Sequence, residues 1–246
     1  MVDFEVIIYE KQDGIAYITL NRPHALNAYS IKMRDELYEV LGAIRDDPGV
    51  EVVILKGAGE KAFCAGADLT EFLTAPPPVF ARQARFARDI WGLFLSIDRP
   101  IIAALHGYVL GSGIEMALCC DIRLASEDAR FGLPETGLGI IPAAGGSQTL
   151  PRTIGQAAAL DMLMTGRWLT ASEALRLKLV NRVVRRPDLF PEAEKLAGKI
   201  KSCHPLAVKY AKQAVMRGLD LTLAEGLELE AELGRRLSAL SANGRA

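Results

Sequence analysis

The sequence predicts a mixed α/β chain, with strands concentrated in its first half and helices in its second. Short β-branched or uniformly apolar runs recur at 6–9, 15–20, 52–55, 101–105 and 122–125. Beyond Leu150 the apolar residues recur instead at helical spacing, through 156–164, 172–177, 191–200, 206–217 and 221–240. Half of the 246 residues are apolar, which is ample for one large core. This order suggests repeated strand–strand–helix units over 1–190, with a helical extension over 191–246 beginning near Pro187 and Pro191.

The first two strands flank Gln12-Asp13-Gly14, a hairpin turn signal. Asn21-Arg22-Pro23 breaks the second strand. Ser30 then reads as a helix cap, because Met33, Leu37, Leu41 and Ile44 follow at i, i+4, i+8 and i+11 until Asp46-Asp47-Pro48. The 52–55 run is β-branched and wholly apolar, as a strand covered on both faces must be. Proline at 76, 77 and 78 makes 74–78 a surface loop. A helix follows to Leu95, then the 101–105 strand and a helix over 112–120. Arg82, Arg85 and Arg88 fall at three-residue spacing on one face, read as solvated or at an interface.

The bulk properties exclude several functions. A formal net charge of −1 gives no general attraction to nucleic acid or anionic membrane. The acidic start Met1-Val2-Asp3-Phe4-Glu5 lacks a basic n-region, so a cytoplasmic protein without a secretory signal is expected. No apolar run is long enough to span a bilayer. Cys64, Cys119, Cys120 and Cys203 have no CxxC spacing and read as reduced thiols. His24, His106 and His204 form no HExxH pattern, and neither a metal nor a separate cofactor is expected.

Chemistry is concentrated in two glutamates. Glu115 closes Gly111-Ser112-Gly113-Ile114-Glu115, and Glu135 closes Phe131-Gly132-Leu133-Pro134-Glu135. Carboxyl groups in apolar surroundings must be protonated, paired or used, and two sharing one cavity can divide acid and base roles. The Ala65-Gly66-Ala67-Asp68 turn lies just beyond the 52–55 strand, where small residues let a ligand approach backbone N–H donors. Gly111-Ser112-Gly113 opens a helix whose first N–H groups lack internal partners.

Together, Asn21-Arg22-Pro23 with Asn27-Ala28, Ala65 to Asp68, Gly111 to Glu115, Pro134-Glu135 and Ile141-Pro142-Ala143-Ala144-Gly145-Gly146-Ser147-Gln148 resemble the enoyl-CoA hydratase/isomerase, or crotonase, superfamily. The ordered set runs from about Val6 to about Val184 and is closest to enoyl-CoA hydratases. The resemblance implies a crotonase-like spiral of ββα units with C-terminal helices that drive trimerisation, often as a dimer of trimers. It implies an acyl-CoA thioester substrate and an oxyanion hole from the main-chain N–H groups of Ala67 and Ser112. Ala25, Leu26, Ala65, Asp68, Leu69 and Thr70 fall in the stretches that cradle CoA in the family. Glu115 and Glu135 occupy both hydratase carboxylate positions, which implies water addition to a 2-enoyl-CoA. Glu115 would activate the water and Glu135 would supply the α-carbon proton.

Some positions depart from the pattern. Thr70 stands where many hydratases have a lysine for the CoA phosphates, and Ser112 replaces a commoner glycine. Ala143 is often glycine, and an acidic residue there marks dienoyl-CoA isomerases. Thr149 replaces a frequent arginine. An enoyl-CoA isomerase or other crotonase-family activity, or a non-catalytic acyl-CoA-binding protein, are the alternatives. A serine hydrolase using Ser112, His106 and Asp121 lacks the nucleophile elbow, since Leu110 and Ile114 flank Ser112 where glycines belong. Gly57-Ala58-Gly59 is not followed by a helix start, so a dinucleotide site lacks its context.

Overall fold

The computed structural model describes residues 4–73 and 88–242. The expected proline loop at 74–78, Arg82, Arg85 and most of the helix leading to Leu95 lie outside these residues. Strands β1 (Ile7–Gln12) and β2 (Ile15–Leu20) form an antiparallel hairpin. Its turn residues Asp13 and Gly14 both have positive φ, 49° and 75°. That pair of left-handed residues matches the twist of a two-residue hairpin. Helix α1 (Ile31–Asp46) starts at Ser30, whose side chain accepts the Met33 N–H. Met33, Leu37, Leu41 and Ile44 are all wholly buried, so the expected stripe is the core face.

From here the chain repeats one manoeuvre. Strand β3 (Val52–Gly57) joins a large sheet and β4 (Ala62–Cys64) a small one, before α2 (Leu69–Leu73) and α3 (Ile90–Ser96). Strands β5 (Ile101–Leu105) and β6 (Tyr108–Leu110) do the same before α4 (Ser112–Leu118). Strands β7 (Ile122–Ser126) and β8 (Arg130–Gly132) repeat it before α5 (Gly146–Ile154) and α6 (Gln156–Thr165). The chain continues through β9 (Leu169–Thr170), α7 (Ala171–Arg176) and β10 (Arg182–Val184). Helices α8 (Leu189–Lys201), α9 (Pro205–Gly218) and α10 (Leu223–Ala242) complete it. The large sheet runs β1-β2-β3-β5-β7-β10 and the small one β4-β6-β8-β9. Pairing is parallel from β2 to β10 in the large sheet and from β4 to β8 in the small one. Each turn of the chain thus advances both sheets by one strand, which makes the fold a spiral.

Strand periodicity explains the two cores. Val53, Leu55, Ile101 and Ala103 face one cluster together with α1 and α4. Val52, Ile54, Ile102 and Ala104 face the other, under Leu189, Ala193, Leu196 and Ala197 of α8. Alternate residues of one strand point to opposite faces, so a sheet covered on both sides needs uninterrupted apolar runs.

Several short elements escape a sequence reading. Strands β4, β6, β8, β9 and β10 have three residues or fewer, too few to display a period. Helix α5, bracketed by Gly145 and Gly155 and containing Pro151, was not among the elements expected from the sequence. The 112–120 helix ends earlier than expected, at Leu118. Glu36 on α1 takes the N–H groups of Glu5, Val6 and Ile7, tying the chain's start to that helix.

Truncating Leu37 to alanine should cost about 2–5 kcal/mol of stability, because the site is fully enclosed and closes only partly around the lost atoms. Urea unfolding of the variant measures this; a loss below about 1 kcal/mol would contradict that packing.

Candidate active site at the ends of the small sheet

Three adjacent parallel strands deliver the site. The turn after β4 carries Ala65, Gly66 and Ala67; the turn after β6 carries Gly111 and Ser112 and leads to Glu115; the turn after β8 carries Glu135. These are the carboxyl ends of parallel strands, where open α/β sheets place ligands. Residues separated by up to seventy positions are thereby brought side by side.

Glycine sets how close the turns come. Gly111 has φ 49° and ψ −121°, a conformation costly for any residue with a Cβ. A Cβ there would lie 2.9 Å from Glu135 Oε1 and 3.3 Å from Gly66 Cα. The Gly111 N–H donates to Gly132 O at 2.9 Å, tying the middle turn to the third strand. Behind it, a Cβ on Gly113 would lie 2.3 Å from Cys64 O, so the start of α4 rests directly on the end of β4.

The two expected oxyanion donors sit on the two facing turns. Tyr29 N donates to Gly66 O and Asp68 N donates to Tyr29 O, a bridge that leaves the intervening Ala67 N–H outside it. Ser112 is the first residue of α4, where an N–H has no acceptor within its own helix.

The carboxyls differ in environment. Glu115 is 3% exposed, and its Oε1 accepts the N–H groups of Ala144 at 2.9 Å and Gly146 at 3.0 Å. Hydrogen bonds of this kind favour the charged form. Glu135 is only partly buried, and its enclosed Oε2 has no hydrogen-bond partner among the described residues. Burial pushes the Glu135 carboxyl up to about 7; a backbone hydrogen bond partly opposes it, and the neighbouring Glu115 charge adds a lesser upward push.

A profile of the enoyl-CoA hydratase/isomerase family matches residues 10–241. The chain is 40% identical to the crotonyl-CoA hydratase of Syntrophomonas wolfei, over 93% of this chain and 88% of that one. It is 42% identical to the short-chain-enoyl-CoA hydratase of Clostridium acetobutylicum, over 92% and 87%. The crystal structure of the enoyl-CoA hydratase from Bacillus anthracis superposes with a TM-score of 0.91 at 39% identity, covering 98% and 96%. The chain belongs to the enoyl-CoA hydratase/isomerase family.

Within this family member, the loop carrying Ala25 and Leu26 lies against the 65–68 turn, for Ala65 N donates to Leu26 O. Leu26 and Asn27 both have φ 53°. Asn27 is wholly buried: its Oδ1 accepts Arg22 N–H, and its Nδ2 donates to Ala58 O and Ala62 O. The Asn-Arg-Pro and Asn-Ala sequences therefore build the loop. Asp68 is also committed to the loops, pairing with Arg22 at 3.0 Å and accepting the Thr70 hydroxyl at 2.6 Å. Those partners hold its carboxyl below the ordinary range, the Thr70 bond acting most strongly. Leu69 is nearly half exposed beside them.

The hydrolase triad does not assemble. Burial, and after it the Arg186 charge, push the His106 imidazole down to about 4 against an opposing effect of Asp128. Asp121 instead takes the Ile101 N–H and Lys212. Gly57-Ala58-Gly59 leads into β4, not into a helix. Arg88 pairs with Glu39 at 3.0 Å, consistent with a solvated face. Cys64 and Cys119 are buried, which pushes their thiols up to about 12 and makes them unreactive. The anchors of Glu115, Ala144 and Gly146, were not identified as partners from sequence; the Gly145-Gly146 pair was the available signal.

Glu135 has a folded pKa raised above its ordinary 4.5. Between those values the native state binds more protons than the unfolded chain, so this group's contribution falls as pH rises from about 4.5 to about 7. Glu135→Gln should therefore gain stability relative to wild type across that interval. Denaturant unfolding at both ends of it tests this; a constant difference would sink the assignment.

Proposed function

We propose that this chain hydrates a 2-enoyl-CoA thioester to a 3-hydroxyacyl-CoA. The observation that carries the reading is the pair of carboxyls at neighbouring strand ends, one held by two N–H donors and the other with its pKa raised to about 7 by burial. Relatives named as hydratases of crotonyl-CoA and short-chain enoyl-CoA agree with it.

In this mechanism the thioester oxygen rests between the N–H groups of Ala67 and Ser112. Their partial positive charges draw electron density from the double bond, leaving the β-carbon electrophilic and stabilising the enolate-like transition state. One such donor is worth on the order of 3 kcal/mol in other enzymes. Glu115, as the carboxylate, takes a proton from water as its oxygen bonds to the β-carbon. Glu135, as the neutral acid, gives a proton to the α-carbon. The added hydrogen and hydroxyl together amount to one water molecule, and the proton taken by Glu115 returns to Glu135, directly or through solvent, before the next turnover.

The CoA portion would lie along Ala25, Leu26, Ala65, Asp68, Leu69 and Thr70, meeting main chain at Asp68 because that side chain is engaged. CoA enters as part of the substrate, and the proposed chemistry requires no further cofactor. A homotrimer, or a hexamer of two trimers, is supported by the apolar residues left exposed on and between α9 and α10, including Val215, Leu219, Leu223 and Leu227. The expected division at 190 falls inside α8, whose Ala193, Leu196 and Ala197 are buried on the large sheet, so the proposal assigns the spiral with α8 to catalysis and α9 and α10 to oligomerisation. Among the described residues no helix is long and apolar enough to cross a membrane. A cytoplasmic role in fatty acid metabolism fits the substrate.

Hydration of crotonyl-CoA by wild type, Glu115→Gln and Glu135→Gln tests the mechanism. Each variant should lose roughly 10²- to 10⁴-fold in kcat with its fold intact. Undiminished turnover in both would remove the two-carboxylate mechanism. A folded wild type that turned over no enoyl-CoA would favour a binding protein.

A further inference from the structure

The two donors to Glu115 come from one short turn that the proposed reaction does not itself touch. Ala144 N and Gly146 N are two residues apart and converge on the same oxygen, at 2.9 and 3.0 Å. Between them Gly145 has φ 104° and ψ −11°. A left-handed residue between such N–H groups turns them into a concave nest suited to an anion. Gly145 O in turn accepts the N–H groups of Gln148 and Thr149, fixing the nest to the first turn of α5. This nest is occupied by a side chain of the same protein.

The seat is also shaped by what Gly146 lacks. A Cβ there would stand 3.0 Å from Glu115 Oε1, 3.2 Å from its Cγ and 2.9 Å from Pro142 Cβ. Gly146 is buried and helical, so its conformation does not require glycine. The constraint is contact with the carboxylate and Pro142.

We propose that Gly146 is a positioning residue for Glu115: its N–H, with that of Ala144, fixes the carboxylate, and its bare Cα provides the space in which Glu115 rests. This rests on the hydratase reading for its catalytic consequence, although not for the clamp itself. An added methyl group would displace Glu115 from the proposed water and weaken the hydrogen bonds to its charged form.

Gly146→Ala is the direct test, with Ala144→Pro as a second variant that removes a donor without crowding Gly146. Carboxyl-carbon NMR of glutamate-labelled protein follows Glu115, its signal assigned by its disappearance in Glu115→Gln. In each folded variant the Glu115 carboxyl should titrate at higher pH than in wild type. Turnover of crotonyl-CoA should fall roughly tenfold to a hundredfold in kcat, with KM nearly unchanged. The acidic limb of the rate profile should move upward with the titration. An unaltered Glu115 titration in a folded variant of either kind would overturn the proposal. Loss of kcat with an unmoved pH profile would do the same, leaving these residues a packing role alone. An inactive wild type with the titration shift intact would sink the hydratase reading and leave the clamp standing.

Discussion

The site depends on the close approach of three backbone turns at the end of the small sheet. Gly66 and Gly111 face each other without side chains between them, and Gly113 rests against Cys64 O. A methyl group at Gly111 would meet a carboxyl and a neighbouring turn; one at Gly113 would overlap a carbonyl. This spacing places the Ala67 and Ser112 N–H groups on facing segments. The spiral makes it possible, because each circuit lays a new small-sheet strand beside the last.

Electrostatics then distinguishes two chemically identical side chains. Glu115 exchanges water for two backbone donors, which offsets the desolvation of its charge. Glu135 receives no comparable compensation at Oε2 from the described residues and lies in the field of Glu115. The Glu115 charge adds a lesser upward push on the Glu135 carboxyl, after burial. Such a difference is what the proposed division into acid and base requires of one residue type.

Other buried charges serve the architecture. Glu36 closes the start of the first strand, and Asp68 with Arg22 locks two loops together. Lys212 on α9 reaches Asp121 and Arg99 O, fastening the C-terminal helices to the large sheet. Burial alone therefore does not distinguish a catalytic carboxylate from a structural one. Position beside the strands' carboxyl ends and the partners of each oxygen are what single out Glu115 and Glu135 as candidates.

The sequence alone determined the elements whose period is long enough to read. The α1 stripe, the β-branched runs of β3 and β5 and the late helices follow from which faces must leave water. It also marked Glu115 and Glu135 through the glycine and proline turns beside them, and the ordered motifs carried the family. Strands of two or three residues were not legible, because their pairing comes from neighbours distant along the chain. Helix α5 was hidden by glycine and proline, which read as breakers until tertiary contacts hold the turn. Only the folded chain decided that Asp68 faces Arg22, that Ala144 and Gly146 hold Glu115, and that Glu135 Oε2 finds no such partner among the described residues. A residue's type specifies the hydrogen bonds it can make; three-dimensional proximity decides which it does make.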